Sequence, residues 1–308
     1  MLNLERLRVL DALARHGSVS GAADALHVTT SAVSQQMTKL EREVGQQLLA
    51  KHGRGVRLTD AGRLLAEHSG RILSQVELAQ SDLEAQRGQV VGELRLSAFP
   101  TAARGLVPAA LAALRAAHPQ LRVRSHESEP EAGVAGVIRG DLDLAVVLDW
   151  HNKPMPLPDG LVKASVLDDP ADIAMPAGHP LADRDEVRLE DFADDEWITW
   201  GEGEFCHEWL LFTLRAGGVE PRIGHIAAET HTQLALVSAG LGVCVAPLLG
   251  RDPMPPGVVT VPVRHQVRRH VYVVWRADAD RRPSIRAAVE ALQKAGADLG
   301  QSADRGRR

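Results

Sequence analysis

The residues best suited to covalent chemistry are Cys206 and His207, which place a thiol beside an imidazole. Cys244 is the second of two cysteines, and the spacing implies no disulfide. A metal site needs three or four convergent ligands, and a cysteine on a helix is most often simply buried. The sequence also lacks GxSxG, HExxH, GxxxxGK and GxGxxG motifs. These observations disfavour an enzyme. Redox sensing through either cysteine remains an alternative, although neither lies in an evidently basic environment.

A second group of polar residues is spaced for one face of a helix near the N-terminus. Thr29 or Thr30 can cap this helix, which extends to about Glu43. The residues predicted to face inward are Val33, Met37 and Leu40. The residues predicted to face outward are Ser31, Ser34, Gln35 and Lys39.

Two further helices and a hairpin are predicted around that helix. Residues 3–16 and 18–26 have helical spacing, and small alanines allow the close approach that a helix-turn-helix requires. Residues 48–58 resemble two short strands around a glycine-containing turn, which is typical of a wing. The pattern therefore predicts a winged helix-turn-helix over residues 1–58.

The spacing of apolar residues within 59–88 predicts one long helix with a near-heptad apolar stripe. The stripe residues expected to mediate dimerisation are Leu65, Ile72, Val76, Ala79 and Leu83. About 28 residues in a helix would span roughly 40 Å. The helix could lie on its own domain, but a helix of this length usually needs a partner helix to bury such a stripe. Self-association is therefore favoured.

From residue 89 the pattern changes to strands that alternate with helices. Such alternation predicts a mainly parallel α/β sheet. The chain is expected to enter a second lobe near residues 168–172 and to return to the first sheet at 258–263 and 270–275. Two α/β lobes would enclose a ligand cleft within residues 89–300. The polar tail, residues 301–308, is predicted to be disordered.

Charge is distributed unevenly along the 308 residues. Residues 1–63 carry nine Lys and Arg against six Asp and Glu, a net charge of +3, which leaves −8 for the rest of a chain whose total is −5. A basic end on an acidic body fits a protein that touches phosphates at one end. The N-terminus is not a signal peptide, and no stretch is apolar for the roughly 20 residues of a membrane span. With two cysteines, a cytoplasmic location is expected.

Several motifs occur in an order that resembles the LysR-type regulators. The first is Ser18-x-x-x-Ala22-Ala23-x-x-Leu26-x-x-x-x-Ser31-Ala32-Val33-Ser34, followed by Leu40-Glu41-x-x-x-Gly45-x-x-Leu48 and Leu58-Thr59-x-Ala61-Gly62. Downstream motifs begin at Gly140, Ala177 and Val237. Leu49 and Lys51 depart from the usual Phe and Arg, and Lys51 loses a two-pronged phosphate contact.

The resemblance implies a DNA-binding head whose third helix enters the major groove by its N-terminal end. The residues it places there are Thr30, Ser31, Ser34 and Gln35. Gln can pair with adenine, whereas Ser and Thr contact bases and phosphates alike. The residues it assigns to the phosphate backbone are Lys39, Arg54 and Arg57. Solvated surface residues are the alternative, most strongly for Lys39 and Arg57.

The resemblance further implies a periplasmic-binding-protein-like effector domain with two lobes. The residues that follow its strands or precede its helices, and are expected to bind the effector, are Thr101, Ser128, Thr199 and His231. A structural helix cap is the alternative role of Thr101. Four glutamates lie near the residues expected to line the cleft: Glu127, Glu129, Glu202 and Glu204. Their negative charges disfavour a strongly anionic effector.

The whole pattern predicts a transcription regulator with an N-terminal winged helix-turn-helix, a long linker helix and a two-lobe α/β effector domain. The resemblance implies a homodimer or homotetramer on a pseudo-palindromic double-stranded DNA site, a small-molecule effector, and contact with RNA polymerase; no cofactor is expected. A solute-binding protein for uptake would also have two lobes, but the N-terminal 88 residues and the missing signal peptide argue against it.

Overall fold

A computed structural model describes residues 2–26, 28–52, 55–85, 90–251, 253–264 and 267–306. The chain forms two compact units, one of residues 1–87 with 139–141 and the other of residues 88–138 with 142–308. None of the helices in the described part of the chain combines the length and apolar character needed to cross a membrane.

The first unit consists of four helices and a two-stranded hairpin. In chain order these are α1 (Leu4–His16), α2 (Val19–Leu26), α3 (Thr30–Val44), β1 (Leu49–His52), β2 (Gly55–Leu58) and α4 (Asp60–Ala85). Local caps explain several ends. Asn3 accepts hydrogen bonds from the first backbone amides of α1, and Thr29 does the same for α3. Gly17 and Gly45 end these helices with φ near +66° and +68°, where glycine is favoured.

The core of this unit joins the faces of α1, α2 and α3 that the spacing predicts. Its most buried members include Leu7, Leu10, Val33, Met37 and Leu40. β1 and β2 pair antiparallel from Leu49 opposite Leu58 to His52 opposite Gly55.

The junction between β2 and α4 explains the Thr59-x-Ala61-Gly62 motif. Thr59 Oγ1 donates to the Gln47 carbonyl and accepts from the Gly62 amide at 3.0 Å. A Cβ on Gly62 would lie 2.2 Å from the Leu48 carbonyl oxygen, which is far inside contact distance. Glycine at position 62 therefore allows α4 to approach the strand.

The second unit contains the α/β lobes. Its strands are β3 (Gly92–Ala98), β4 (Leu121–Glu127), β5 (Leu144–Trp150), β6 (Leu161–Pro176), β7 (Glu196–Thr199), β8 (Arg222–Ile226), β9 (Cys244–Pro247), β10 (Val258–Val261) and β11 (Val267–Arg276). Its helices are α5 (Pro100–Gly105), α6 (Val107–Ala117), α7 (Pro130–Arg139), α8 (Phe205–Ala216), α9 (Thr230–Ser238) and α10 (Pro283–Gly306).

The large sheet has the order β10-β6-β11-β5-β3-β4, and β9 also pairs with β6. β3 is parallel to β4 and β5, whereas β11 is antiparallel to both β5 and β6. The expectation of a mainly parallel sheet is therefore wrong, because β6 and β11 are long strands that cross between the lobes in opposite directions. β7 and β8 form a separate parallel pair in the second lobe.

Three other expectations need correction. The alternation of strands and helices predicts one helix over residues 103–117, but the structure has two helices there, α5 and α6, with Pro108 in the first turn of the second. The strand expected at 258–263 pairs with β6 at Ile173–Pro176 and not with the first-lobe strands. Residues 301–306, expected to be disordered, continue α10 to Gly306.

Candidate functional site

The outward face of α3 is a row of exposed polar side chains. Its exposed members include all those assigned to DNA on this helix: Thr30, Ser31, Ser34, Gln35 and Lys39. The opposite face is almost completely buried. The buried apolar face of α3 therefore packs the helix against the rest of the head, and the polar row on its other face remains accessible to a partner.

The members of the row differ in their hydrogen bonding. Ser34 Oγ donates to the Thr30 carbonyl at 2.9 Å, so its hydroxyl proton is engaged within the helix. Within the described residues, the Gln35 and Lys39 side chains make no hydrogen bond or ion pair. Gln35 therefore has a complete amide available for a base edge, whereas Ser34 offers mainly its oxygen as an acceptor.

Glu41 is a positioning residue whose place in the motif Leu40-Glu41-x-x-x-Gly45 did not reveal its role. Its Oε1 accepts from the amides of Leu48 and Leu49 at 2.8 and 3.0 Å, which ties the end of α3 to the start of the wing. Arg6 pairs with Glu43 and so ties α1 to α3. Sequence spacing does not reveal these bonds, because the Glu41 bonds depend on how the chain turns after α3 and the Arg6 pair depends on how α1 packs on α3.

The wing residues are only partly covered by the structure. Arg57, in β2, is exposed, as is Lys51 in β1. Arg54 lies outside the described residues. The contact of Arg57 and Arg54 with DNA therefore stays a prediction.

The apolar stripe of α4 is divided between two environments. Leu65 and Ile72 are half-buried and pack against the core of the head. This part of α4 therefore follows the alternative interpretation, in which the helix lies on its own domain. Val76 is half-buried, and Ala79 and Leu83 are exposed. Leu83 has 66% of its surface exposed, so the second half of α4 is where the stripe lacks cover.

In the second unit, a buried arginine marks the place where the lobes meet. Arg269 of β11 lies between Trp150 of β5 and Asp169 of β6. Its guanidinium pairs with the Asp169 carboxylate, and both side chains are buried. Thr101 Oγ1 accepts a further hydrogen bond from Arg269 Nη2 at 3.1 Å. Thr101, predicted to bind the effector, thus faces this ion pair from the start of α5.

The second-lobe residues predicted to bind the effector are Thr199 and His231, and each approaches the meeting place of the lobes through different contacts. Thr199 Oγ1 lies 3.5 Å from His207 Nδ1 of α8, and both residues are buried. His231 follows Thr230 in the chain. A Cβ built on Gly250 would lie 2.8 Å from Thr230 Cγ2 and 3.1 Å from Thr101 Cγ2. The fold therefore brings Thr101 beside the helix start that contains His231. The Nε2 of His231 is buried and makes no hydrogen bond.

Ser128 lies at another edge of the first lobe. A Cβ on Gly133 of α7 would lie 3.0 Å from Ser97 Oγ and 3.4 Å from Ser128 Oγ, so the two hydroxyls face one place. Neither hydroxyl has a hydrogen-bond partner among the residues that the structure describes.

Tryptophans connect α8 to the end of β5. The rings of Trp150 and Trp209 stack with centroids 3.5 Å apart, and Trp200 meets Trp150 edge-on at 6.4 Å. Trp209 Nε1 donates to Asn152 Oδ1 at 2.7 Å. These contacts give the cleft a rigid aromatic wall.

Two titratable groups here are strongly perturbed. Burial, reinforced by the carboxylates of Glu204, Glu131 and Glu127, raises the pKa of Glu129 to about 7. Burial also raises the pKa of the Cys206 thiol to about 12, although Arg269 and the Trp150 indole N–H act in the opposite direction. The Trp150 N–H makes no hydrogen bond of ordinary geometry. Desolvation is the larger effect, so Cys206 is a protonated thiol at neutral pH.

Sequence reasoning missed the residues that organise this cleft, above all Arg269, Asp169 and Trp150. They come from β11, β6 and β5, and the ion pair joins positions 100 residues apart. A buried arginine within an apolar strand is unusual, since arginine is rarely buried unless paired. Arg269 could therefore have been noticed from the sequence, but nothing in the sequence identified Asp169 as its partner.

Comparisons with known proteins assign both units. Residues 4–63 match the family described as bacterial regulatory helix-turn-helix protein, lysR family. Residues 87–297, more than half of the chain, match the LysR substrate binding domain.

Curated relatives align with most of the chain. The DNA-binding transcriptional dual regulator OxyR of Escherichia coli (strain K12) is 27% identical over 95% of this chain and 95% of its own length. A probable RuBisCO transcriptional regulator of Chlorokybus atmophyticus is 32% identical over 77% of this chain and 75% of its own.

Solved structures share the fold. A full-length OxyR variant from Pseudomonas aeruginosa has a TM-score of 0.74, at 24% identity and 95% coverage of both chains. Full-length CbnR in complex with its target DNA has a TM-score of 0.65, at 22% identity, covering 96% of this chain and 100% of that chain. The family matches are to regulators and not to enzymes. This chain therefore belongs to the LysR family and is a DNA-binding transcription regulator with an effector-binding domain.

Proposed function

We propose that α3 binds the major groove of duplex DNA through Thr30, Ser31, Ser34 and Gln35. The exposed polar row opposite a buried face is the observation that carries this assignment. Gln35 supplies the strongest base selectivity, because its free amide can pair with adenine. Lys39, Arg54 and Arg57 bind phosphates.

The second half of α4 pairs two copies of the chain. Exposed Ala79 and Leu83 on a helix of 26 residues support this role. The pairing places two heads on a pseudo-palindromic site and permits a dimer or a tetramer. CbnR, a protein of the same fold, has been solved with its target DNA.

The effector binds where the lobes meet, near Thr101, Ser128, Thr199 and His231. Unpartnered polar atoms on Ser128 and His231 support this place, since buried polar groups normally have partners. Binding shifts the relative placement of the heads and their contact with RNA polymerase, provided that the effector prefers one arrangement. The protein acts in the cytoplasm.

The DNA assignment is tested by selecting bound sequences from random duplex DNA at two salt concentrations. We expect a dyad-symmetric motif and affinity that falls with salt, because phosphate contacts release counterions. The double variant Ser34→Ala, Gln35→Ala should lose the motif but keep salt-dependent binding. The matched control, Gln120→Ala with Ser125→Ala, removes the same groups from exposed positions on the effector domain. An unchanged motif in the Ser34 and Gln35 variant would contradict the assignment.

A second candidate function is redox sensing through Cys206. Its place beside Arg269 favours Cys206 over Cys244, which lies in an apolar cluster of the second lobe. Several curated relatives are named hydrogen peroxide-inducible genes activators. In such sensing the thiolate attacks a peroxide oxygen, an S–O bond forms as the O–O bond breaks, and the products are a sulfenic acid and hydroxide, which takes a proton from solvent to become water. The raised pKa of the thiol opposes this reaction until the cleft opens.

Peroxide treatment of the full chain, followed by intact mass and DNA-binding measurements, separates the two functions. Redox sensing requires that Cys206→Ser abolish the oxygen adduct and the change in DNA binding, and that Cys244→Ser preserve both. The same response in the wild type and in Cys206→Ser would eliminate Cys206 as a sensor.

A further inference from the structure

A pocket in the second unit lies between α8, the end of β5 and the start of β11. Its volume is about 360 Å³, within the range of roughly 300–1,000 Å³ that is typical of small-molecule sites. Trp209 lines it, and the ring of Trp209 also stacks on Trp150 in the aromatic wall of the cleft. Among the described residues that line the pocket, none belongs to the four proposed to bind the effector. The pocket is therefore separate from the proposed effector position, although α8 takes part in both.

A directed hydrogen-bond chain ends at this pocket. An indole N–H can only donate, and Trp209 Nε1 donates to Asn152 Oδ1 at 2.7 Å. The amide nitrogen of Asn152 therefore faces the other way, and Nδ2 donates to Thr213 Oγ1 at 3.0 Å. Thr213 thus accepts a hydrogen bond, and its own proton finds no acceptor among the described residues. All three residues line the pocket, so its wall offers a half-buried hydroxyl donor to a ligand.

The charged groups of the lining are mostly positive. Among the described lining residues there are three guanidiniums, those of Arg188, Arg264 and Arg268, and one carboxylate, that of Glu190. The carboxylates that pair with Arg264 and Arg268 do not line the pocket. Arg188 and Arg264 make their ion pairs through Nε, and within the described part of the chain their Nη groups make no hydrogen bond. Both guanidiniums therefore keep donors for an anion.

Apolar side chains stand beside these arginines. Leu189, Val263 and Val267 line the pocket, and each is the neighbour of one of the three arginines in the chain. Val263 is buried, and the other two are half-buried. Water could satisfy the Thr213 hydroxyl, but an apolar lining is stabilised when an apolar group replaces water. The pocket is thus suited to a ligand that combines a negative charge with an apolar body.

We propose that this pocket is a second small-molecule site, which takes a carboxylate with a compact apolar body. The carboxylate accepts hydrogen bonds from the Thr213 hydroxyl and from the Nη groups of Arg188 or Arg264. The apolar body packs on the leucine and valine side chains of the lining. Such a ligand contacts α8, the end of β5 and the start of β11 together, and so favours one position of α8 over others. Through the stack of Trp209 on Trp150, that choice reaches the wall of the cleft.

Calorimetric titration of the full chain with matched probes tests the chemical class. Cyclohexanecarboxylate, cyclohexanecarboxamide and cyclohexylmethylamine share one ring and differ in charge. Acetate lacks the apolar body, and inorganic phosphate tests for a simple anion site. We expect the carboxylate to bind with a Kd below about 1 mM, and the other four probes to bind at least about ten-fold more weakly. No binding by the carboxylate, or equal binding by any of the other probes, would overturn the proposal.

Thr213→Val tests the hydroxyl donor, because valine keeps the shape of threonine and removes the O–H group. We expect the affinity for cyclohexanecarboxylate to fall about ten-fold, since a hydrogen bond to a charged group is lost. Thr260→Val makes the same change at a half-buried position on β10 and should leave affinity unchanged. Thermal unfolding of both variants establishes that they fold. Unaltered affinity in folded Thr213→Val would overturn the proposal.

A double variant, Arg188→Gln with Arg264→Gln, tests the cationic donors independently of the hydroxyl. We expect affinity to fall about five-fold, because solvent screens these exposed charges. The control is Arg124→Gln with Arg222→Gln, which removes two arginines that are equally exposed and paired with glutamates. Equal affinity in the two double variants would overturn the proposal.

Thr101→Val distinguishes the pocket from the cleft. Thr101 lies in the cleft and does not line the pocket, so this variant should bind cyclohexanecarboxylate as the wild type does. Binding that is lost in Thr101→Val and retained in Thr213→Val would place the carboxylate in the cleft and overturn the second site, while supporting the proposed effector position.

Discussion

The polar face of α3 and the cleft around Arg269 both consist of hydrogen-bonding side chains, but their relation to water is opposite. Thr30, Gln35 and Lys39 are exposed. Arg269 and Asp169 are buried, and each is the other's principal charge partner. Removing an exposed polar group leaves little unsatisfied, whereas removing one member of a buried pair leaves a charge without solvent. The two sites should therefore differ sharply in how far a functional substitution also disturbs folding.

The largest effect is expected from Arg269→Met. The change leaves the Asp169 carboxylate buried without its partner, and we expect the free energy of unfolding of the second unit to fall by about 3–5 kcal/mol. Denaturant unfolding of the full chain, followed by tryptophan fluorescence, measures it, because the tryptophans lie in that unit.

Arg215→Met is the matched control. Arg215 pairs with Glu220 at 2.7 Å, but both side chains are more than half exposed, so solvent screens the pair and its loss should change the free energy of unfolding little. Equal losses in the two variants would remove the contrast between the buried and exposed sites.

Sequence patterns and packing explain different parts of the molecule. The helix ends of the head follow local rules, since Asn3, Thr29, Gly17 and Gly45 act within a few residues of themselves. Spacing therefore predicts α1 and α3 closely. The direction in which a strand joins a sheet has no such local signal, since it depends on distant partners, and the antiparallel pairing of β11 with β5 and β6 was missed for that reason.

The candidate sites follow the same division. Residues of the α3 face share one helix and one motif, so a single period predicts which of them are exposed. Arg269 becomes part of the cleft only because three distant strands place Trp150, Arg269 and Asp169 side by side. The acidic residues around Glu129 were partly predictable, because Glu127 ends a strand and Glu129 and Glu204 lie in loops beside the expected walls of the cleft, but Glu131 was not included.

The next largest effect tests packing in the head. Gly62→Ala places a Cβ 2.2 Å from the Leu48 carbonyl oxygen, so the start of α4 must shift. Overpacking of this kind typically costs about 1–3 kcal/mol. We expect weaker DNA binding together with lower stability of the head, measured by hydrogen exchange of α1 and α3.

Gly178→Ala provides the comparison, since nothing lies within 4 Å of its added methyl. The exchange rates of that variant should equal those of the wild type. Normal DNA affinity in folded Gly62→Ala would show that the position of α4 is less restricted than the close contact implies.

A smaller effect is expected from Thr29→Ala, which removes the cap of α3. Thr29 Oγ1 accepts from the Ala32 amide at 3.1 Å, and loss of such a cap costs about 1 kcal/mol. Because the cap lies outside the proposed base-contacting set, we expect fraying of the first turn and a modest loss of DNA affinity without a change in the preferred sequence. Thr29→Ser, which can still cap, should restore affinity; a changed sequence preference would place Thr29 among the base contacts.

The smallest effect concerns the pH dependence of the second unit. The pKa of Glu129 is about 7 in the folded chain against an ordinary 4.5, so the folded state holds a proton that the unfolded state releases between those values. Stability attributable to this group is therefore complete below pH 4.5 and is lost as pH rises through 7. Because Glu129 is only half-buried, solvent screens its charge, and we expect a loss of about 1 kcal/mol, well below the full linkage value. Glu129→Gln should unfold with a flatter dependence on pH than the wild type over this interval, whereas Glu290→Gln, the same change at an exposed position on α10, should follow the wild type. Parallel profiles for Glu129→Gln and the wild type would mean that Glu129 does not hold a proton at neutral pH in the folded chain.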